Sequence, residues 1–168
     1  MTLTVGIDVG SLATKVVVFK DNEVLDYRIE RSRHSFKERA KDIVNELLEK
    51  QGFSLGDVDS VMGTGYGRHS IKKIFGQPPV TEITAHAKGV HYFLPKVRTV
   101  VDMGGQDTKV ILLGKNGKVL DFQMNDKCAA GTGRFLEVMA KTLEIELDDM
   151  GLMDAKATKD VTISSTCT

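Results

Sequence analysis

Two segments of the chain carry, in the same order, residue types that bind phosphate groups and a divalent cation. Residues 8–19 align without a gap with residues 102–113, and each segment follows an apolar run that ends in aspartate. Each segment then turns on glycine and resumes with threonine, lysine and four apolar residues. We name the glycine-containing parts the first turn (residues 8–15) and the second turn (residues 102–109). A duplicated unit predicts two related lobes, and paired turns of this kind suit a polyphosphate held between them.

Both turns are predicted to bind phosphate through their backbone. N–H groups in a glycine turn approach phosphate oxygens closely because no side chain intervenes. Lys15 and Lys109 each add a candidate cation, and Thr14 and Thr108 each add a hydroxyl donor. The candidate phosphate-binding residues are Gly10, Ser11, Leu12, Ala13, Thr14 and Lys15 in the first turn and Gly104, Gly105, Gln106 and Asp107 in the second.

Two carboxylates are candidate magnesium ligands. Asp8 and Asp102 stand at the ends of the strands that lead into the turns. They are expected to hold Mg²⁺ through its waters, because this ion gives up hydration reluctantly. For one copy alone, an ordinary hairpin turn with a solvated lysine is the simpler interpretation. Two copies in register, both after apolar strands, favour the phosphate interpretation.

The two cysteines form the second group with chemical potential. Cys128 lies in a loop of small residues, 128–133 (the cysteine loop), and Cys167 lies in the small-residue segment 164–168. Each is expected near a helix N-terminus, where N–H groups and the dipole stabilise a thiolate. Buried, unreactive cysteines are the alternative. A Cys₄ zinc or iron–sulfur site needs four ligands, so such a site would require two chains sharing it on a symmetry axis.

Composition narrows the class of protein. The 23 basic residues balance the 23 acidic residues, so no net charge favours nucleic acid or an anionic membrane. No apolar run approaches the roughly 20 residues of a membrane span, and no secretion signal is recognisable at the N-terminus. We expect a cytoplasmic protein without nucleic-acid or membrane partners, in which both cysteines stay reduced.

Alternating apolar residues and turn signals predict the elements that hold the first turn. A capping box at Ser35 and Glu38 predicts the start of a helix, and Gly52 is expected to end it. A further helix is predicted to end at Phe75. The other predicted elements of this lobe are strands 3–9, 14–20, 23–31 and 58–62 and a helix over 84–94.

The second lobe repeats the plan of the first. Its predicted strands are 97–103, 108–113, 119–124 and 161–163. Its predicted helix, 134–143, is expected to turn Phe135, Leu136, Met139 and Leu143 inward. We expect lobes at 1–95 and 96–168, with the second incomplete because the chain stops where the first lobe continues into a helix.

The paired turns resemble those of the actin–Hsp70–sugar-kinase ATPase superfamily. The resemblance implies an α/β, ribonuclease H-like fold of two lobes, with mixed five-stranded sheets flanked by helices, and ATP bound by both turns. Residues 82–89 fall where the first connecting helix of that superfamily crosses between lobes. Glu82 is therefore a candidate for orienting water, as is Gln106, although a carboxylate at a helix start also suits the helix dipole.

A narrower resemblance rests on several motifs in order. Residues 125–135, with the sequence NDKCAAGTGRF, together with 64–68, 104–107 and the SSTCT segment, resemble motifs of the 2-hydroxyacyl-CoA dehydratase activators. The ATPase subunits of benzoyl-CoA reductase belong to the same family. The resemblance implies a homodimer bridged by one [4Fe–4S] cluster on Cys128 and Cys167 of each chain. It also implies ATP-driven electron transfer to a dehydratase, with ferredoxin or flavodoxin as the electron donor.

Two features of the chain depart from the pattern of that family, and three other functions are alternatives to the one it implies. Leu12 stands where many relatives have a small or hydroxyl residue, and the family continues past the second cysteine into an adenosine-binding part, so this chain is expected to be truncated. The alternative functions are a small-molecule kinase with Asp107 as a candidate base, an actin-like nucleotide switch that forms filaments, and an iron-binding dimer scaffold without ATPase activity. The benzoyl-CoA reductase subunit remains an alternative within the family.

Overall fold

The computed structural model describes residues 1–31 and 36–162, apart from the side chains of residues 36–38. The chain divides into two compact units, Met1–Gly89 and Val90–Thr168. The strands are β1 (Leu3–Val9), β2 (Ala13–Lys20), β3 (Glu23–Arg31), β4 (Ser60–Gly65), β5 (Thr99–Met103), β6 (Thr108–Leu113) and β7 (Val119–Asn125). The helices are α1 (Phe36–Lys50), α2 (Arg68–Phe75), α3 (Glu82–Phe93), α4 (Gly133–Thr142) and α5 (Met150–Asp154).

The first unit contains a mixed four-stranded sheet with the order β3-β2-β1-β4. β1 pairs with β2 antiparallel and with β4 parallel. Alternate residues of β1 and β2 face α1, whose apolar residues recur at helical spacing, so that one apolar core forms between sheet and helix. The buried residues of this core on β1, β2 and α1 are Leu3, Val5, Ile7, Val9, Val16, Val18, Ala40, Ile43, Val44, Leu47 and Leu48.

Gly52 ends α1 as the sequence predicts. Its φ of 77° is left-handed, a conformation that glycine adopts without steric cost. The N–H of Phe53 donates to the carbonyl of Leu48 at 2.9 Å, and the N–H of Gly52 donates to Glu49. This is the Schellman pattern, which satisfies the last carbonyls of a helix. The predicted Ser35 cap lies outside the described residues.

The second unit contains an antiparallel three-stranded sheet with the order β5-β6-β7. Val100, Ile111 and Leu113 are buried on one face of this sheet, while Val101 and Met103 on the other face are exposed. The predicted α/β class is confirmed, but the described residues form sheets of four and three strands rather than five. The predicted strand at 161–163 is wrong for residues 161–162, which form no ladder, and residue 163 lies outside the described residues.

Helix α4 corrects the predicted inward face. Leu136 and Leu143 are exposed, and Ala140 is the buried residue of the helix. The apolar spacing therefore predicted the helix correctly, but it did not predict which of its apolar residues are buried. Among the described residues, no helix is long and apolar enough to cross a membrane.

Candidate functional site

The first turn joins β1 to β2 as a tight hairpin. The N–H of Gly10 donates to the carbonyl of Ala13 at 3.0 Å, and Asp8 stands opposite Lys15 in the antiparallel ladder. The Nζ of Lys15 donates to Oδ2 of Asp8 at 2.7 Å. The Lys15 side chain is 50% exposed, so its ammonium group is accessible to an anion at the surface of the unit.

The second turn repeats this geometry between β5 and β6. The N–H of Gly104 donates to the carbonyl of Asp107 at 2.8 Å, and Asp102 stands opposite Lys109. The repeat found in the sequence is therefore also a repeat of backbone hydrogen bonds and of strand register.

One substitution within the repeat changes the environment of the lysine. Asp107 occupies the position that Ala13 occupies in the first turn. The Nζ of Lys109 lies 2.6 Å from Oδ1 of Asp107 and 3.4 Å from Oδ2 of Asp102. The Lys109 side chain is only 3% exposed. The structure thus places Lys109 in an internal ion pair, where the sequence suggested a second phosphate-binding cation.

The two threonines also differ. Thr14 is buried in the first unit. The hydroxyl of Thr108 donates to the carbonyl of Gly131 at 2.7 Å, so its proton is directed to the cysteine loop. The expected hydroxyl donor to phosphate is therefore engaged within the protein at Thr108.

The end of β4 closes over Asp8. Gly65 has a φ of 84°, and a Cβ built on it would overlap the carbonyl oxygen of Val9 and lie 2.5 Å from Oδ1 of Asp8. The N–H of Gly67 donates to the same Val9 carbonyl at 3.1 Å. Oδ1 of Asp8 is buried and accepts no hydrogen bond from the described part of the chain. The sequence motif 64–68 contains Gly65 but does not indicate its role, which is to let the backbone approach Asp8.

Gly65→Ala is expected to destabilise the first unit by about 3 kcal/mol or more, because left-handed strain and steric overlap add. Gly76→Ala is the matched control. Gly76 has a similar φ of 79° with no neighbouring atom within 4 Å of a built Cβ, so its cost is about 1–2 kcal/mol of strain alone. Urea unfolding of both variants measures the difference. Equal losses would contradict a steric role for Gly65.

The two candidates for orienting water lie at defined positions. Glu82 is the first residue of α3, and Thr81 caps this helix by accepting the N–H of Thr84 at 3.2 Å. Gln106 is exposed at the tip of the second turn. Their catalytic roles stay predictions.

The cysteine loop is closed by its own hydrogen bonds. The N–H and the hydroxyl of Thr132 both donate to the carbonyl of Ala129, at 3.0 and 2.6 Å. The side-chain amide of Asn125 donates to the carbonyl of Cys128 at 3.3 Å. Cys128 is half-buried at the base of this loop. Cys167 lies outside the described residues.

The same loop and the start of α4 are bonded to the second turn. The N–H of Gly133 donates to the carbonyl of Gly104 at 2.9 Å, and the N–H of Arg134 donates to the carbonyl of Gly105 at 2.8 Å. With the bond from Thr108 to Gly131, three hydrogen bonds join the glycine turn to the residues that follow the cysteine. Sequence analysis found both motifs but not their connection, since no local pattern signals it.

The described residues contain no group of three or more histidine, cysteine or acidic side chains placed to hold a metal ion. A magnesium ion bound through waters needs fewer direct protein ligands. Oδ1 of Asp8 fits such an ion, since it is a buried acceptor that receives no protein hydrogen bond within the described residues.

The α/β units and their glycine turns define an actin-like ATPase fold. A solved structure supports this class: component A of the (R)-2-hydroxyglutaryl-CoA dehydratase of Acidaminococcus fermentans. It matches 99% of this chain with a TM-score of 0.91 and 43% identity, and the match covers 64% of that chain.

The chain belongs to the BadF/BadG/BcrA/BcrD ATPase family, whose model matches residues 5–168. The (R)-2-hydroxyglutaryl-CoA dehydratase activating ATPase of Acidaminococcus fermentans is 44% identical over 98% of this chain and 63% of its own length. A benzoyl-CoA reductase polypeptide of Thauera aromatica is 36% identical over 99% of this chain and 60% of its own length. The chain thus spans about three-fifths of the length of these curated relatives. The family resemblance drawn from the motifs is confirmed.

Proposed function

We propose that this chain is the phosphate-binding and cysteine-bearing part of an ATP-dependent electron-transfer activator of a 2-hydroxyacyl-CoA dehydratase. The observation that carries the proposal is the set of three hydrogen bonds that join the second turn to the cysteine loop and to the start of α4. Because of these bonds, a change at the turn reaches the thiol-bearing loop directly. The relatives named as dehydratase activators support this choice of partner.

The first turn binds phosphate oxygens of ATP through its glycine backbone and through Lys15. Lys15 already pairs with Asp8, and its half-exposed ammonium group has further donors for an anion. A hydrogen bond from an ammonium group to a phosphate is charge-assisted and therefore stronger than one between neutral groups.

The second turn presents N–H groups on the side away from α4. The carbonyls of Gly104 and Gly105 accept hydrogen bonds from the start of α4. In a planar trans peptide the N–H points opposite to the carbonyl, so the N–H groups of Gly105 and Gln106 point away from that helix. These two N–H groups are the phosphate donors that we assign to the turn.

Magnesium, when bound with ATP, neutralises phosphate charge. Asp8 in the first turn and Asp102 in the second are each a candidate to hold it through its waters, and Oδ1 of Asp8 has the lone pairs to accept from such a water. Gln106, exposed beside the proposed phosphate donors, is one candidate for orienting the attacking water, and Glu82 is the other.

A [4Fe–4S] cluster, when bound, supplies a one-electron carrier. In a homodimer, Cys128 and Cys167 of each chain would supply the four thiolates that a cluster of this type takes. The half-buried position of Cys128 fits a ligand that faces a partner rather than a core residue. A ferredoxin or a flavodoxin is the electron donor.

The structure argues against the kinase alternative, because its candidate catalytic base is engaged within the protein. Asp107 is buried and paired with Lys109 at 2.6 Å, so its carboxylate is directed into the protein rather than toward a substrate hydroxyl. The benzoyl-CoA reductase subunit is the weaker alternative within the family because its identity to this chain is lower.

The test is ATP-dependent activation of a 2-hydroxyacyl-CoA dehydratase by protein purified without oxygen. Iron content, the visible spectrum and the native mass are measured on the same sample. We expect about four irons per dimer, with a broad absorption that is lost in air. We expect dehydratase turnover only when ATP, a reduced ferredoxin and this protein are all present.

Lys15→Met provides the matched loss-of-function variant, with activation expected to fall at least about 10-fold as a charge-assisted hydrogen bond is removed. A phosphorylated small-molecule product would identify a kinase instead. Nucleotide-dependent filaments would identify an actin-like assembly module. Bound iron in a protein that does not hydrolyse ATP would identify an iron-binding dimer scaffold.

A further inference from the structure

The side chain of Thr108 joins the second turn to the cysteine loop. Its hydroxyl donates to the carbonyl of Gly131 at 2.7 Å, whereas the other two bonds use backbone groups of Gly133 and Arg134. A side-chain bond is removable by substitution without a change to the backbone, so the role of this connection is testable.

The bond acts on a residue in an unusual backbone conformation. Gly131 has a left-handed φ of 75°, and a Cβ built on it would lie 3.9 Å from the Thr108 hydroxyl. On the other side of the loop, Thr132 is buried and holds the carbonyl of Ala129 with two hydrogen bonds. The loop is thus internally closed, and Thr108 fixes its position at the residue where the backbone is most easily reoriented.

Thr108 also lies at a fixed place in the turn. It stands opposite Met103 in the first pair of the β5–β6 ladder, next to the hydrogen bond that closes the turn between Gly104 and Asp107. A reorientation of the glycine peptides on phosphate binding would therefore be expected to move the start of β6 and the hydroxyl with it.

We propose that Thr108 is a positioning residue that couples the second turn to the cysteine loop, so that phosphate binding at the turn changes the reactivity of the Cys128 thiol. The part of this inference that concerns phosphate binding rests on the proposed function. The hydrogen bond between Thr108 and Gly131 does not depend on it. Thr108 acts through Gly131 and touches no reacting atom.

The experiment compares Thr108→Val with Thr108→Ser in full-length, iron-free protein. Valine keeps the shape and removes the donor, whereas serine keeps the donor. The rate of Cys128 alkylation by iodoacetamide is measured by mass spectrometry of the Cys128 peptide, with and without a magnesium complex of a non-hydrolysable ATP analogue. Thr142→Val is the matched control, because the Thr142 hydroxyl donates to the Val138 carbonyl at 2.8 Å within α4 and away from the turn.

Without nucleotide, Thr108→Val is expected to raise the alkylation rate about 2- to 10-fold, as for the loss of one neutral hydrogen bond that holds a loop closed. Thr108→Ser and Thr142→Val are expected to match the wild type. With the analogue bound, the rate is expected to change in the wild type and in Thr108→Ser but not in Thr108→Val, although Thr108→Val still binds the analogue.

An unchanged basal rate and a retained nucleotide response in Thr108→Val would overturn the inference. Failure of the wild type to bind the analogue would overturn the proposed function instead. In that case the basal rates still decide whether Thr108 holds the cysteine loop.

Discussion

Lys109→Met is expected to destabilise the second unit by about 3–5 kcal/mol, the cost of removing one partner from a buried ion pair. The Lys109 side chain is 3% exposed and lies 2.6 Å from the buried carboxylate of Asp107. Methionine fills a similar volume but leaves that carboxylate without its cation. Urea unfolding followed by circular dichroism measures the loss.

Lys15→Met is the matched control from the other copy of the repeat. Lys15 pairs with Asp8 at 2.7 Å, but its side chain is 50% exposed. Exposed ion pairs contribute about 0–1 kcal/mol, so the expected loss of stability is several-fold smaller. The main effect expected at Lys15 is a loss of nucleotide affinity, because its exposed ammonium group is a proposed phosphate ligand.

A double-mutant cycle identifies the cause of the loss at Lys109. Asp107→Ala gives the second turn the residue that the first turn has at that position, Ala13. If the cost of Lys109→Met arises from an uncompensated carboxylate, the Asp107→Ala/Lys109→Met variant is less destabilised than the sum of the single changes. Additive losses, or equal losses at Lys15 and Lys109, would contradict this account.

The repeat also shows how far sequence reasoning extends. The matched spacing of Asp8 to Lys15 and of Asp102 to Lys109 predicted two related units, and both turns have the same strand pairing and the same closing hydrogen bond. The different environments of the two lysines were not predicted, because they depend on one substitution, alanine to aspartate, and on the burial around it. Periodicity reports which residues share a face but not how closely that face is covered, which is why Leu136 was wrongly expected to point inward.

The connection between the second turn and the cysteine loop was beyond prediction for a different reason. Thr108 and Gly131 are 23 positions apart in the sequence, and their hydrogen bond depends on how the loop returns to the turn. The sequence identified each motif from its residue types. Their connection, on which the proposed function depends, is visible only in the tertiary structure.

Cys128→Ser is expected to abolish cluster binding in protein purified without oxygen, because the hydroxyl is a far poorer ligand for iron than a thiolate. In a homodimer this single change removes two of the four proposed ligands. Iron content is expected to fall from about four per dimer to background, and the broad visible absorption is expected to disappear with it. Dehydratase activation is expected to be lost in parallel.

The nucleotide affinity of the same variant is the internal control for the expected loss of iron. The loop is closed by the bonds of Thr132 to Ala129 and tied to the turn through Gly131, Gly133 and Arg134, none of which uses the thiol. The nucleotide affinity of Cys128→Ser is therefore expected to stay within about 2-fold of the wild type. A roughly 10-fold change would correspond to a loss of about 1.4 kcal/mol of binding free energy. Ala130→Ser, two residues along the same loop, adds an equivalent hydroxyl at an exposed position and is expected to retain iron. Iron retained by Cys128→Ser would remove this thiol from the ligand set, whereas loss of both iron and nucleotide binding would indicate that the substitution unfolds the loop.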